Sequence, residues 1–234
     1  MNADETKKKI DSVGNIRIIF EPSIYQENLL PKENLKGILE KSRVSLRGWD
    51  FPHIPINVND NMKPPYSIGN GYEFYTNFQE ITEIFRFYQS GQFIGRIQMR
   101  EDAIDKALGK TIEPGKYLDF LNTVYLITEI TLFIKNLMEN TDIFEGKLII
   151  EIDKTKGREL QPIFSSNILP FFARYICETE KVQAEVGFDK QKISTDPLAV
   201  ARILLKNIFL DFNWDSYSEQ TITTHQENLL NRKI

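Results

Sequence analysis

The stretch from Tyr117 to Met138 constrains this chain most. It is almost continuously apolar, and its main interruptions are Asp119, Asn122, Glu129 and Lys135. A membrane-crossing helix needs about 20 predominantly apolar residues, and those four side chains turn the segment into a core helix instead. Pro114 suits a helix start, so the pattern predicts a helix over Gly115 to Asn140. Leu118, Leu121, Tyr125 and Leu132 fall on one side, and Ile127, Ile130, Ile134 and Leu137 on another. A helix that is apolar on more than one face must be covered on more than one side. The remaining elements must therefore supply a sheet for it to lie across.

The neighbouring segments read as that sheet. Asn15 to Tyr25 and Val44 to Phe51 carry strand patterns, with a short helix from Pro31 between them. In the second strand Arg47, Trp49 and Phe51 are expected on one face and Asp50 on the other. Pro52 to Pro65 is polar and proline-rich, a loop. Asn70-Gly71 fits a type I′ turn. Gly71 to Phe78, Ile81 to Tyr88 and Gln92 to Met99 follow as three strands with short connections, hence an antiparallel meander. A short helix is expected over Glu101 to Leu108. Beyond the long helix, Lys147 to Asp153 and Lys181 to Ile193 alternate as strands, and Glu159 to Phe164 pairs back. Ile168 to Glu178 suits either a strand or a helix. Asp196-Pro197 marks the start of a C-terminal helix that runs to about Phe212.

No regular βαβ alternation is present, so the class is α+β: a mostly antiparallel sheet with a long central helix and a C-terminal helix. A single domain spans 15–214, with 140–146 as the alternative point of subdivision. Residues 1–14 read as a flexible tail and 215–234 as a polar tail.

Composition narrows the function. Hydrophobic residues make up 41% of 234, enough for a large core without staples. The net charge of −4 does not favour direct nucleic-acid binding or an anionic membrane. One cysteine, Cys177, closes no internal disulfide, and the polar start Asn2 to Lys9 lacks a signal-peptide core, so a cytoplasmic setting is expected. Only two histidines, His53 and His225, are present. That count removes Cys/His zinc sites and leaves little room for Ser-His or Cys-His hydrolases.

Two groups of residues stand out. Arg47, Trp49, Asp50 and His53 put a cation, an aromatic, an acid and an imidazole within seven positions. Arg47 suits an anion or carboxylate, Trp49 offers a stacking surface, and Asp50 can orient His53 as a base. Packing at a strand end is the plainer explanation for the same residues. The second group is Glu151 and Asp153, on one strand face, followed by Lys154. They are the best carboxylate pair for a Mg or Mn ion in a metal-dependent nuclease, although the Glu-x-Lys spacing of restriction-type enzymes is missing. An ordinary solvated strand face opposite Leu148, Ile150 and Ile152 is the plainer explanation for the pair.

Leu46-Arg47-Gly48-Trp49-Asp50-Phe51-Pro52-His53, followed by Phe87-Tyr88-Gln89-Ser90-Gly91-Gln92-Phe93, resembles uncharacterised bacterial proteins. Some of these are similar to, or joined with, putative DNA-binding regions of the AlbA or Schlafen type. The resemblance covers residues 44–99 and implies a bacterial cytosolic role in regulation or phage defence. It transfers no catalytic residues. The expectation is a non-catalytic sensor or interaction module without a resident cofactor. It would take a protein partner or small ligand at Arg47, Trp49, Asp50 and His53. A hydrolase using Glu151 and Asp153, or a structural subunit of a larger complex, are the alternatives.

Overall fold

The computed structural model describes residues 2–57, 62–78, 80–165, 168–215 and 218–233. Seven strands form one antiparallel sheet: β1 (Asn15–Pro22), β2 (Met62–Ser67), β3 (Gly71–Phe78), β4 (Ile81–Tyr88), β5 (Phe93–Gln98), β6 (Glu145–Asp153) and β7 (Lys181–Asp189). Their spatial order is β7-β6-β1-β5-β4-β3-β2. The sequence-adjacent strands β2 to β5 make the meander, and β1 joins it to β6 and β7. The expected α+β class holds.

One face of the sheet is the core face. Ile18, Phe20, Phe74, Phe85, Phe87 and Phe93 are buried on it. The long helix α4 (Phe120–Glu139) lies against this face. Phe133 of α4 meets Phe93 with ring centroids 4.7 Å apart, and Phe51 sits edge-on to both Phe133 and Phe85. Helix α2 (Leu35–Ser42) flanks α4. On its other sides, α6 (Pro197–Asp211) and α7 (Glu219–Leu230) close over α4, which explains why it is apolar nearly all round. The core helix begins five residues later than expected. Its first turn is replaced by a parallel ribbon, residues 117–119 against 159–161. Asp119 then caps α4, accepting from the Asn122 N–H.

Both expected tails are helices. In α1 (Ala3–Ser12), Asn2 and Glu5 form a reciprocal capping box, and Ile10 is buried against Tyr75 and Ile84 on the outer sheet face. In α7, Thr223 and Thr224 return their hydroxyls to the carbonyls of Glu219 and Gln220. This leaves Ile222, Gln226 and Leu229 as a narrow buried stripe. The many hydroxyls hide that stripe in the sequence.

Other expectations shift locally. Positive φ falls on Gly69, not on Asn70 or Gly71, so the hairpin turns on Gly69-Asn70. Residues 44–51 do not run as one strand. Gly48 has φ of +85°, and the chain folds back so that Val44-Ser45 pairs with Asp50-Phe51. Helix α3 (Arg100–Ala103) is a single turn, followed by a small hairpin of 106–107 with 110–111. Strand β2 occupies part of the expected Pro52–Pro65 loop, whose positions 58–61 lie outside the described residues. Residues 168–178 adopt no helix or multi-residue strand; Ile176 makes an isolated bridge to Glu159. The expected strand 181–193 ends at Asp189, where α5 (Lys190–Thr195) starts. No described helix is long and apolar enough to cross a membrane.

Phe133 is fully buried at the junction of α4, β5 and the 44–51 fold-back. Phe133→Ala is expected to lower unfolding free energy by about 3–5 kcal/mol, read from the urea midpoint at unchanged slope. A loss under 1 kcal/mol would show that α4 does not bear on the sheet there.

Candidate functional site

The fold-back at Gly48 changes what Arg47 does. It swings the guanidinium onto α4, where Nε and Nη2 reach the Glu129 carboxylate at 2.6–3.1 Å. Nη1 donates to Asn122 Oδ1 at 2.8 Å. The side chains of Arg47 and Glu129 are 7% and 1% exposed, so the pair is held out of water. Asn122, Tyr125 and Glu129 share one helix face at spacings of three and four. Arg47 also stacks over Trp49 at 4.9 Å and Tyr125 at 5.7 Å. Burial pushes the Glu129 carboxyl upward, and the guanidinium pulls against it. A fork of N–H donors on both carboxylate oxygens is the geometry of a charged pair.

The same fold-back brings Arg47, Trp49, Asp50 and His53 to the wall of one cavity of about 70 Å³. Asp50 is held by Arg43 at 2.7 Å rather than by His53. His53 lies against the Phe78 ring at 5.1 Å, and burial lowers its pKa while Asp50 pulls the other way. The sheet contributes Glu83 from β4, and the end of β5 leads to Arg100.

These last two residues escaped the sequence reading. Glu83 is on the inner face of β4, opposite Ile97. Its Oε2 is buried without a hydrogen-bond partner. Burial, reinforced by Glu129 and opposed by Arg47, raises its pKa to about 8, so it carries a proton at neutral pH. Arg100 stacks on Phe164 at 4.5 Å, and its buried Nε is also unpartnered. Burial and Arg47 lower its pKa, with Asp119 and Glu101 opposing. The signal in the sequence was an inward Glu in an otherwise apolar strand row, Ile81, Glu83, Phe85 and Phe87.

Arg47, Trp49, Arg100 and Asn122 also border a more open cleft of about 440 Å³. Its remaining wall includes Leu121, Tyr125 and Phe164. The two spaces therefore have Arg47, Trp49, Arg100 and Asn122 in common.

Glu151 and Asp153 lie elsewhere, on the outer sheet face. Glu151 is bridged by Lys181 at 2.6 Å and Arg17 at 3.3 Å. Arg96, Arg86 and Lys7 line the same depression. Lys154 turns away and donates to the Asp11 carbonyl. Among the described residues no three His, Cys, Asp or Glu side chains are grouped to hold a metal ion. Cys177 is buried beside Thr179, and His225 packs edge-on to Phe120. Compared with family models, curated proteins and solved structures, the chain matches none.

Two measurements check the electrostatics. Glu129→Leu alone strands the Arg47 charge and is expected to cost about 3–5 kcal/mol; adding Arg47→Met should restore most of it. For Glu83 the pH dependence has a definite sign. Below about 4.5 the folded and unfolded chains both hold the proton, and between 4.5 and about 8 only the folded chain does. Its contribution therefore weakens stability progressively as pH rises through that window and is constant above it. Buried Glu101, raised to about 7, adds a slope of the same sign. The difference between wild type and Glu83→Gln isolates Glu83, and a flat difference from pH 5 to 8 would contradict its assignment.

Proposed function

We propose that the protein is a non-catalytic small-ligand-binding module whose receptor site is the cavity and cleft joined at Trp49 and Arg100. The observation that carries this is convergence: one loop places Arg47, Trp49, Asp50 and His53 on a cavity whose wall holds buried, unpartnered polar atoms of Glu83 and Arg100. Buried polar groups are ordinarily satisfied, so unpartnered side-chain atoms on Glu83, Gln98 and Arg100, all residues of this wall, set it apart from an ordinary packed core. The cleft volume falls within the range of small-molecule sites, and its mixture of aromatic walls and few polar groups is that of a ligand pocket.

The rigid settings of Arg47, on Glu129 and Asn122, and of Asp50, on Arg43, support binding over acid-base chemistry. Arg47 is spent on α4, and Asp50 is bonded to Arg43 rather than to His53. The ion pairs of Glu151 with Lys181 and Arg17 favour a structural role for that largely buried carboxylate. A sensor role in a bacterial cytosolic regulatory or defence system fits this reading and the resemblance over residues 44–99.

A thermal-shift screen of small metabolite-like compounds tests it. A compound at 100-fold excess over its Kd stabilises by about 2.7 kcal/mol, a shift of about 5–10 °C for a chain of this size. Trp49→Ala should abolish the shift, and Glu151→Gln should leave it intact. The opposite pattern would place binding on the outer sheet face and end this proposal.

A further inference from the structure

Two of the cations around the cavity are held in ion pairs, and a third is not. Arg47 is matched by Glu129, and Arg43 by Asp50. His53 is shifted toward its neutral form by burial. Glu83 keeps its proton at neutral pH. The carboxylate nearest Arg100 in the open cleft, Asp119, is already committed: its Oδ1 accepts from Asn122 N–H and its Oδ2 from Ile163 and Phe164 N–H. Glu101 accepts from the Asp119 N–H. What remains is the Arg100 guanidinium. It forms no ion pair among the described residues, stacks only on Phe164, and has an orphaned buried Nε. A partly buried cation that Asp119 and Glu101 favour only through space, with no direct ion pair, gains from an anionic ligand in contact with it.

Building on the ligand-binding reading, we propose that the site takes an aromatic monocarboxylate. Its carboxylate pairs with Arg100, and its ring lies in the cleft against Trp49, Tyr125 and Phe164. Three features select this class. A guanidinium presents a planar fork that matches a carboxylate in two parallel N–H···O bonds. A carboxylate monoanion adds one negative charge beside Asp119 and Glu129, whereas a dianion would add two. The cleft walls are aromatic and aliphatic, which suits a flat apolar body. The sequence assigned anion recognition to Arg47; the structure moves it to Arg100, because Arg47 is saturated by α4.

Ionisation of Glu83 would oppose the ligand. Of the other groups near the site, Arg47, Glu129, Arg43 and Asp50 stay in their pairs, His53 is neutral on the alkaline side, and Glu101, raised to about 7 and acting on Arg100, ionises earlier and adds a fall of the same sign that Glu83→Gln leaves in place. Affinity should thus fall as pH rises through about 8, and Glu83→Gln should remove most of that fall.

Calorimetric titration of the full chain with benzoate and indole-3-carboxylate, against benzamide and inorganic phosphate, tests the assignment. The expected result is binding of at least one acid at pH 7, with benzamide and phosphate at least tenfold weaker. Arg100→Met should lower affinity about 30-fold or more, since it removes a buried charge-assisted contact. Arg100→Lys, which keeps the charge, should retain the preference for acid over amide if the Met variant fails to fold. Equal binding of benzoate and benzamide, or an Arg100→Met affinity within twofold of wild type, overturns the carboxylate assignment while leaving a Trp49-dependent pocket standing. Binding of phosphate without either acid overturns it as well. If neither acid binds, the assignment fails, and the Trp49 dependence of other compounds in the thermal screen judges the pocket separately.

Discussion

The buried pair of Arg47 and Glu129 is the contact on which the functional architecture depends. An arginine from a loop and a glutamate from the centre of a core helix would each be costly to bury alone. Together, with Asn122 taking a third N–H, they fix the fold-back at Gly48 against α4. The consequence reaches three neighbours. Trp49 is stacked under the guanidinium, Phe51 is delivered into the core between Phe85 and Phe133, and His53 is carried to the cavity wall. Packing and electrostatics meet in this one pair.

The same pair sets the chemistry of its surroundings. It places a carboxylate close enough to Glu83 to reinforce the effect of burial, and a cation close enough to Arg100 to disfavour a second positive charge. The cavity thus holds a carboxyl that keeps its proton and a guanidinium without a partner. Groups shifted this way are common at functional sites because a packed core would ordinarily replace them with apolar side chains. Here the surrounding shell is aromatic and tightly packed, so the polar atoms are held in place.

Much of the frame was legible in the sequence, for local reasons. The meander showed itself through period-two alternation with short turns, α4 through its length and all-round apolarity, and α6 through Asp196-Pro197. The misses were also physical. Helix α7 buries a stripe of Ile222, Gln226 and Leu229 among threonines whose hydroxyls satisfy themselves on the helix backbone, so composition reads as a tail. Arg47, Trp49, Asp50 and His53 do share a cavity wall, but the single strand expected over 44–51 is interrupted at Gly48, where the chain folds back. Arg100 was invisible because Arg100-Glu101-Asp102 looks like a solvated turn. In the fold, Asp102 is claimed by the buried Arg158 and by the N–H groups of Gly14 and Gly115, while Glu101 holds the Asp119 N–H. The acids beside Arg100 in sequence are spent elsewhere, and only the three-dimensional pairing reveals which cation is left over.

The proposed ligand recognition depends on Glu83 staying protonated, so that it adds no negative charge beside the unpaired Arg100. A carbon-13 NMR titration of the glutamate side-chain carboxyls, with Glu83 identified by its absence in Glu83→Gln, measures this directly. The account predicts a midpoint at about 8. A midpoint near 4.5, the ordinary glutamate value, would mean that Glu83 is an anion at neutral pH, cancelling the charge on which ligand recognition here is built.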